Sequence, residues 1–267
     1  MKNFGFCLVC LFSITQVAAQ DTLHVYFDSL WHKTTAENAF YHQMKVKAGS
    51  AWKEWDYYPS GKLKMKGAYS DDSCRVREGN FVWYDANGSL SSSYTYDHGK
   101  ANGPSEVYYK SGKKHITGNY KMDKYDGEWT AYYESGKILG KATFTDGQQV
   151  SASFYNEDGS ADNNTTAFFR KAEFPGGQQA LDTFLHNELK YPKEALDNEI
   201  HGVVMVQFLV SKDGTLNNIK IIRPVHPLLD KEALRVVEKM PRWQPCINAG
   251  RISDMICILP VSFRLNE

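Results

Sequence analysis

The chain has no excess of charge of either sign. Thirty-one lysines and arginines face 31 aspartates and glutamates. A nucleic-acid footprint needs clustered Lys and Arg, so a nucleic-acid partner is not expected. Cysteine is scarce: five in 267 residues, with Cys7 and Cys10 near the start. Cys74, Cys246 and Cys257 remain beyond residue 20, an odd set that cannot close into a full disulfide framework. Whether Cys246 and Cys257 pair is left open, because a hairpin turning near Ala249 and Gly250 sets them off register. The sequence holds no H-E-x-x-H, no pair of Cys-x-x-Cys motifs and no G-x-S-x-G. Its Gly-Lys pairs at 61, 112 and 136 lack the Ser or Thr of a phosphate loop. His186, His201 and His226 read as surface or cap residues. A Cys257 nucleophile assisted by His226 is disfavoured, since a thiol in an apolar strand is inert. No catalytic residue, metal site or cofactor is expected, and the chain reads as non-enzymatic.

Long apolar runs are missing too, with one exception. Residues 4–19, FGFCLVCLFSITQVAA, follow Lys2 and end in small residues. At 16 residues the run falls short of the ~20 of a membrane span. Val17 and Ala19 suit a leader-peptidase site, so residues 1–20 are expected to be a signal peptide and the mature chain to be exported. Retention of this segment would instead anchor the protein in a membrane.

What the sequence has in abundance is aromatic residues, 13% of the chain with 16 tyrosines, most of them before residue 160. They recur in register. WDYYPSGKL (55–63), FVWYDANGSL (81–90), EVYYKSGKK (106–114), WTAYYESGKI (129–138) and SFYNEDGS (153–160) align on Gly61, Gly88, Gly112, Gly136 and Gly159, spaced by 27, 24, 24 and 23. Gly79, Gly103 and Gly127 form a second series stepping by 24, two to four residues ahead of each strand start. Aromatic pairs favour a half-buried pleated surface, and Ser-Gly, Asn-Gly and Asp-Gly supply tight hairpin turns. Each unit is therefore a β-hairpin that buries its aromatic face only against a neighbour. Residues 26–46 are expected to cap the first edge.

This pattern resembles MORN-type repeats, with YYPSGKLKMKG (57–67) the best match. The resemblance implies an all-β repeat array over residues 21–160 and supplies an architecture, not a chemistry. Residues 161–173 are polar until Phe168 and are expected to be the linker.

From Phe174 the period changes. GQQALDTFLHNEL (177–189) places Ala180, Phe184 and Leu185 on one helical face. Pro192 suits the first turn of a short helix in YPKEAL (191–196). Val204, Val206, Phe208 and Val210 line one face of a strand, and 215–223 return as another. Residues 228–240 place Leu229, Ala233, Val236, Val237 and Met240 at helical spacing, with Asp230 and Glu232 in the first turn and Lys239 in the last. Pro241 then ends the helix, and Pro245 stiffens the run MPRWQP so that Trp243 is presented in a fixed direction, as core. Residues 251–265 form the last strand, with Pro260 marking an edge or bulge.

FPGG (174–177), YPKEA (191–195), GVVMVQFLV (202–210), KDG (212–214), LDKEA (229–233), MPRWQP (240–245) and LPVSF (259–263) resemble, in order, the C-terminal domain of TonB. The resemblance implies that residues 174–267 are an α+β domain, helices packed on a three-stranded antiparallel sheet. It implies a partner as well: a TonB-dependent outer-membrane transporter, or a similar envelope protein, whose extended segment adds as a strand. Carried over by motif, the contact would involve Tyr191, Pro192, Ile256, Ile258, Pro260, Val261, Phe263 and Leu265. The proline-rich spacer of TonB is missing; the repeats stand in its place. The expected location is the periplasm, with inner-membrane anchoring as a force transducer the alternative and dimerisation through the last strand a third reading.

Overall fold

The computed structural model describes residues 22–28, 32–71, 73–163, 165 and 167–265; the segment expected to be a signal peptide, residues 1–20, lies outside them. The chain divides into two compact units, residues 1–100 and 101–267. Among the described residues no helix is long and apolar enough to cross a membrane.

The first unit holds β1 (Thr22–Phe27), β2 (Lys33–Thr34), β3 (Tyr41–Ala48), β4 (Ala51–Tyr57), β5 (Leu63–Tyr69), β6 (Arg77–Tyr84) and β7 (Leu90–Asp97). They form an antiparallel sheet in the order β7-β6-β5-β4-β3-β1-β2, a meander from β3 onward with β1 between β3 and β2. The segment expected to cap the array thus joins it, since β1 pairs with both β2 and β3. The second unit continues the pattern with β8 (Lys100–Tyr108), β9 (Lys114–Lys121), β10 (Lys124–Tyr132), β11 (Ile138–Thr145) and β12 (Gln148–Phe154).

Every turn of the first glycine series closes alike. The residue three before the glycine accepts its N–H, as in Gly61 to Tyr58 and Gly136 to Tyr133, both 2.8 Å. Between hairpins, Tyr58, Tyr109 and Tyr133 donate their hydroxyls to the carbonyls of Tyr84, Tyr132 and Tyr155 at 2.7–2.9 Å. The second glycine series does not precede strands. Gly79, Gly103 and Gly127 lie inside β6, β8 and β10 with positive φ. The pairing slips by bulges beside Gly79 and Gly127.

A longer alternation overlies the repeat. One buried position is filled in turn by Glu54, Phe81, Ser105 and Trp129, which face Gly67, Tyr94, Gly118 and Ala142 across their hairpins. Large rings sit on the glycine of the preceding hairpin. A Cβ on Gly67 would stand 2.3 Å from the Phe81 ring, and one on Gly118 2.1 Å from Trp129. A ring filling the place of a missing side chain is one way the sheet finds burial.

The rest of the second unit is two-layered. β13 (Phe169–Arg170) precedes α1 (Gly177–Glu188), α2 (Lys193–Asp197), β14 (Gly202–Val210), β15 (Leu216–Arg223), α3 (Pro227–Glu238), β16 (Cys246–Asn248), β17 (Arg251–Ser253) and β18 (Met255–Phe263). β15-β14-β18 form one antiparallel sheet and β13-β16-β17 a second, small one. The last strand is therefore shorter than residues 251–265: Arg251–Ser253 turn back on β16 before β18 starts. Val204, Val206, Phe208 and Val210 meet Leu229, Ala233, Val236 and Val237, all within 1% of full burial. By the area rule each such Val, Leu or Phe side chain contributes about 1.5–3 kcal/mol.

The two-proline strap is held at both ends. The N–H of Trp243 donates to the Gly214 carbonyl at 2.9 Å, and Gln244 exchanges two backbone bonds with Glu173. The indole is buried edge-on to Phe174 and Phe208, as core. Glu232 was expected to serve the helix dipole from the first turn. It lies further along α3, 9% exposed, accepting from the Lys190 N–H at 2.7 Å and from Arg235 Nε and Nη2 at 2.7 and 2.6 Å. Arg235 also donates to the Glu188 carbonyl at 2.6 Å, so this pair ties the end of α1 to α3. The first-turn acid is Asp230, which accepts from the Val225 N–H at 3.0 Å.

Candidate functional site

β18 pairs with β14 along its full length, Gly202 opposite Phe263 through Val210 opposite Met255, with no register shift. Its other side meets no strand among the described residues. Along β18 the side chains alternate. Leu259, Val261 and Phe263 are 1–8% exposed and face the helices; Ile256 and Ile258 are 62% and 51% exposed, and Pro260 and Ser262 share their side.

Two depressions lie between β18 and α1. One, about 520 Å³, is lined by Asp182, Leu185, His186 and Leu189 of α1 and the α1–α2 connection, by Tyr191, and by Pro260 to Arg264. The other, about 540 Å³, is lined by Gln178, Leu181, Asp182 and Leu185, by Phe174 and Trp243 at its floor, and by Met255 to Pro260. Asp182, Leu185 and Pro260 belong to both, so the two run together as one trough.

The sequence-derived contact residues therefore split. Tyr191, Pro260, Val261 and Phe263 line the first depression, and Ile256, Ile258 and Pro260 the second. Tyr191 is fixed by its hydroxyl, which donates to the Ile200 carbonyl at 2.6 Å, and by an edge-on contact with Phe263. Leu265 lies past the strand end, beside His201, Gly202 and Val203. Pro192 lines none of these hollows and caps α2. Sequence reading missed the α1 wall. The spacing of Gln178, Asp182, Leu185 and Leu189 on one helical stripe was the available sign.

Among the described residues burial pushes the thiols of Cys74, Cys246 and Cys257 above the ordinary range, away from the reactive thiolate. Glu78, Asp97 and His98 bring ligand-type atoms within 4.8 Å of one another. That grouping is accounted for by the turn itself, where His98 bonds Asp97 through its ring and Glu78 through its N–H.

Residues 187–265 match the family model of the Gram-negative bacterial TonB protein C-terminal region. The chain carries a TonB-type C-terminal domain. Residues 77–98, 101–122 and 125–146 match the MORN repeat variant. Both families are non-enzymatic, and the homology of the TonB-type domain supports a TonB-like role in the cell envelope. Two solution structures of the Helicobacter pylori TonB C-terminal domain, of different length, are similar at 22% identity and a TM-score of 0.27. Each covers 33% of this chain, and 80% and 94% of their own. No curated protein matches the chain.

Proposed function

We propose that this is an exported envelope protein whose TonB-type domain binds an extended segment of a TonB-dependent outer-membrane transporter by strand addition to β18, with the repeats as scaffold. The observation that carries the reading is an edge strand lying open beside a trough walled by α1. Main-chain bonds along the edge give affinity, and the trough receives alternate side chains of the guest. The phase of the edge follows from Pro260. A proline is tolerated in a paired edge strand where its nitrogen faces away from the partner. Ile256, Ile258 and Ser262 share its phase, so their N–H groups are the ones offered outward. The contact is small and therefore weak.

The test is titration of the full chain with a synthetic peptide from the N-terminal segment of such a transporter. Ile258→Pro removes one outward N–H and no bond to β14. It is expected to weaken binding at least ~10-fold, about 1.4 kcal/mol, with unchanged circular dichroism. Val261 is a poorer choice, because its side chain lies in the core. Unaltered affinity in Ile258→Pro would reject β18 as the docking edge. A concentration-dependent doubling of mass abolished by the same substitution would favour the dimer. An intact N-terminus in the membrane fraction would favour the anchored transducer.

A further inference from the structure

The small sheet β13-β16-β17 joins the TonB-type domain to the last repeats. Phe169 and Arg170 pair with Asn248 and Ile247, and the Gly250 N–H donates to the Phe168 carbonyl at 3.0 Å. Phe168 is fully buried, its own N–H donating to Gln149 Oε1 of β12 at 2.7 Å. Its ring stacks on Phe154, and that of Phe169 on Tyr125 at 4.6 Å. Ala249, at the tip of the β16–β17 hairpin, is fully buried in the same core as Trp129, Phe144 and Phe154. Gly250 presses on the Phe154 ring so closely that a Cβ there would stand 2.3 Å away. Beside it Arg251 reaches Asp162 at 3.1 Å and the Tyr133 hydroxyl, with its guanidinium over the Tyr133 ring. Asp162 is itself held by a bond from its N–H to the Phe154 carbonyl, 2.8 Å.

This hairpin leads straight into the edge strand, since β17 ends at Ser253 and β18 starts at Met255. We infer that the last repeats have a mechanical function: the β16–β17 hairpin is a clamp that fixes the docking strand to the repeats, so that a pull on β18 is borne by the repeat sheet. The word docking rests on the function proposed above; the clamp does not. A freely jointed linker would need solvated, unpaired backbone. Here Phe169 and Arg170 are paired on one side, and Phe168 is buried in a shared aromatic core against which Phe169 packs. Packed cores are bistable rather than continuously deformable, so strain at β18 passes on to Phe154 and Tyr133.

The test is amide hydrogen exchange followed by mass spectrometry on the full chain, which needs no partner. Gly250→Val drives a wedge against Phe154. It is expected to speed exchange about tenfold in β11–β12 and in β18 as well as in residues 246–253, leaving β15 unchanged. Should that variant fail to fold, Arg251→Ala keeps the backbone and Ala249 in place and is expected to speed the same segments about threefold. Faster exchange confined to residues 246–253, or wild-type amides of Phe169 and Ile247 exchanging at loop rates, would overturn the clamp. Peptide affinity measured alongside separates the two ideas. Exchange that spreads while binding persists supports the clamp whatever the guest; loss of binding in Ile258→Pro speaks only to the edge.

Discussion

The repeats and the TonB-type domain are both built around antiparallel sheet, yet they find burial in opposite ways. In the first unit one core cluster reduces to Met65, Tyr69 and Phe81, with Trp83 and Tyr96 only partly covered. In the TonB-type domain one cluster takes in sixteen buried residues from three helices, the strap and the sheet. In that cluster of the first unit no second layer contributes a residue. Each large ring instead rests where the preceding hairpin has a glycine, and its neighbours supply edge-on contacts: Tyr69 and Tyr96 lie 5.2 Å from Phe81. Burial in the array is therefore local and divisible, while in the domain it is collective.

That contrast can be broken most forcefully at the two matched phenylalanines, both buried to within 1%. Phe208→Ala is expected to cost ~3–5 kcal/mol and to lower the unfolding midpoint of the whole TonB-type domain. Phe81→Ala empties an equally dry site, but its loss of hydrogen-exchange protection is expected to stay within β5–β7. Equal spreading from both sites would show that the array is as cooperative as the domain. A smaller effect is expected from filling the space a glycine leaves. Gly118→Val meets the Trp129 ring and is expected to destabilise by ~1–3 kcal/mol in a denaturant titration, with a shift in tryptophan emission. Gly112→Val, at an open turn with positive φ, disturbs only its own hairpin.

The smallest and sharpest difference is in pH. Burial pushes the Glu54 carboxyl above the ordinary range, more than Lys45 at 2.9 Å and the Tyr69 hydroxyl pull it down. The folded array thus binds this proton more readily than the unfolded chain, and its stability falls as pH rises from the ordinary glutamate range through the raised folded value. For Glu232 burial also acts upward, but the Arg235 guanidinium and the Lys190 N–H outweigh it and the net direction is down. Its contribution is present above the unfolded value and is lost as pH falls through the depressed folded one. Acidification from about pH 7 to 3 is therefore expected first to relieve the array at Glu54, above the ordinary glutamate range, and then, below that range, to weaken the TonB-type domain at Glu232. Melting curves of Glu54→Gln and Glu232→Gln across that range check it: each should flatten the pH dependence of its own region, with opposite slopes removed.

Much of this was legible in the chain because it is local. Ser-Gly, Asn-Gly and Asp-Gly at spacings of 23 to 27 marked the hairpins, and each of those turns closed as its residues required. Alternation marked β14, and helical spacing marked α1 and α3. The prolines around Trp243 announced a stiff segment. What escaped was set by neighbours distant in sequence. Gly67 and Gly118 look like weak points of a strand until Phe81 and Trp129 are laid over them. Glu232 looks like a dipole residue until Lys190 and Arg235 close around it. Phe168 and Phe169 end a polar stretch that reads as linker, and only the tertiary fold brings them Gln149, Phe154, Tyr125 and the β16–β17 hairpin as partners. Of the carried-over contact residues, motif alone could not separate Val261 and Phe263, turned into the core, from Ile256 and Ile258, turned outward.

By itself the sequence determined which segments form hairpins, helices and strands, because turn chemistry and hydrophobic period act within a few residues. The tertiary structure decided which strand is left as an open edge, what wall stands beside it and what that edge is fastened to. Those depend on long-range packing, where one ring's place is defined by the side chain another hairpin lacks.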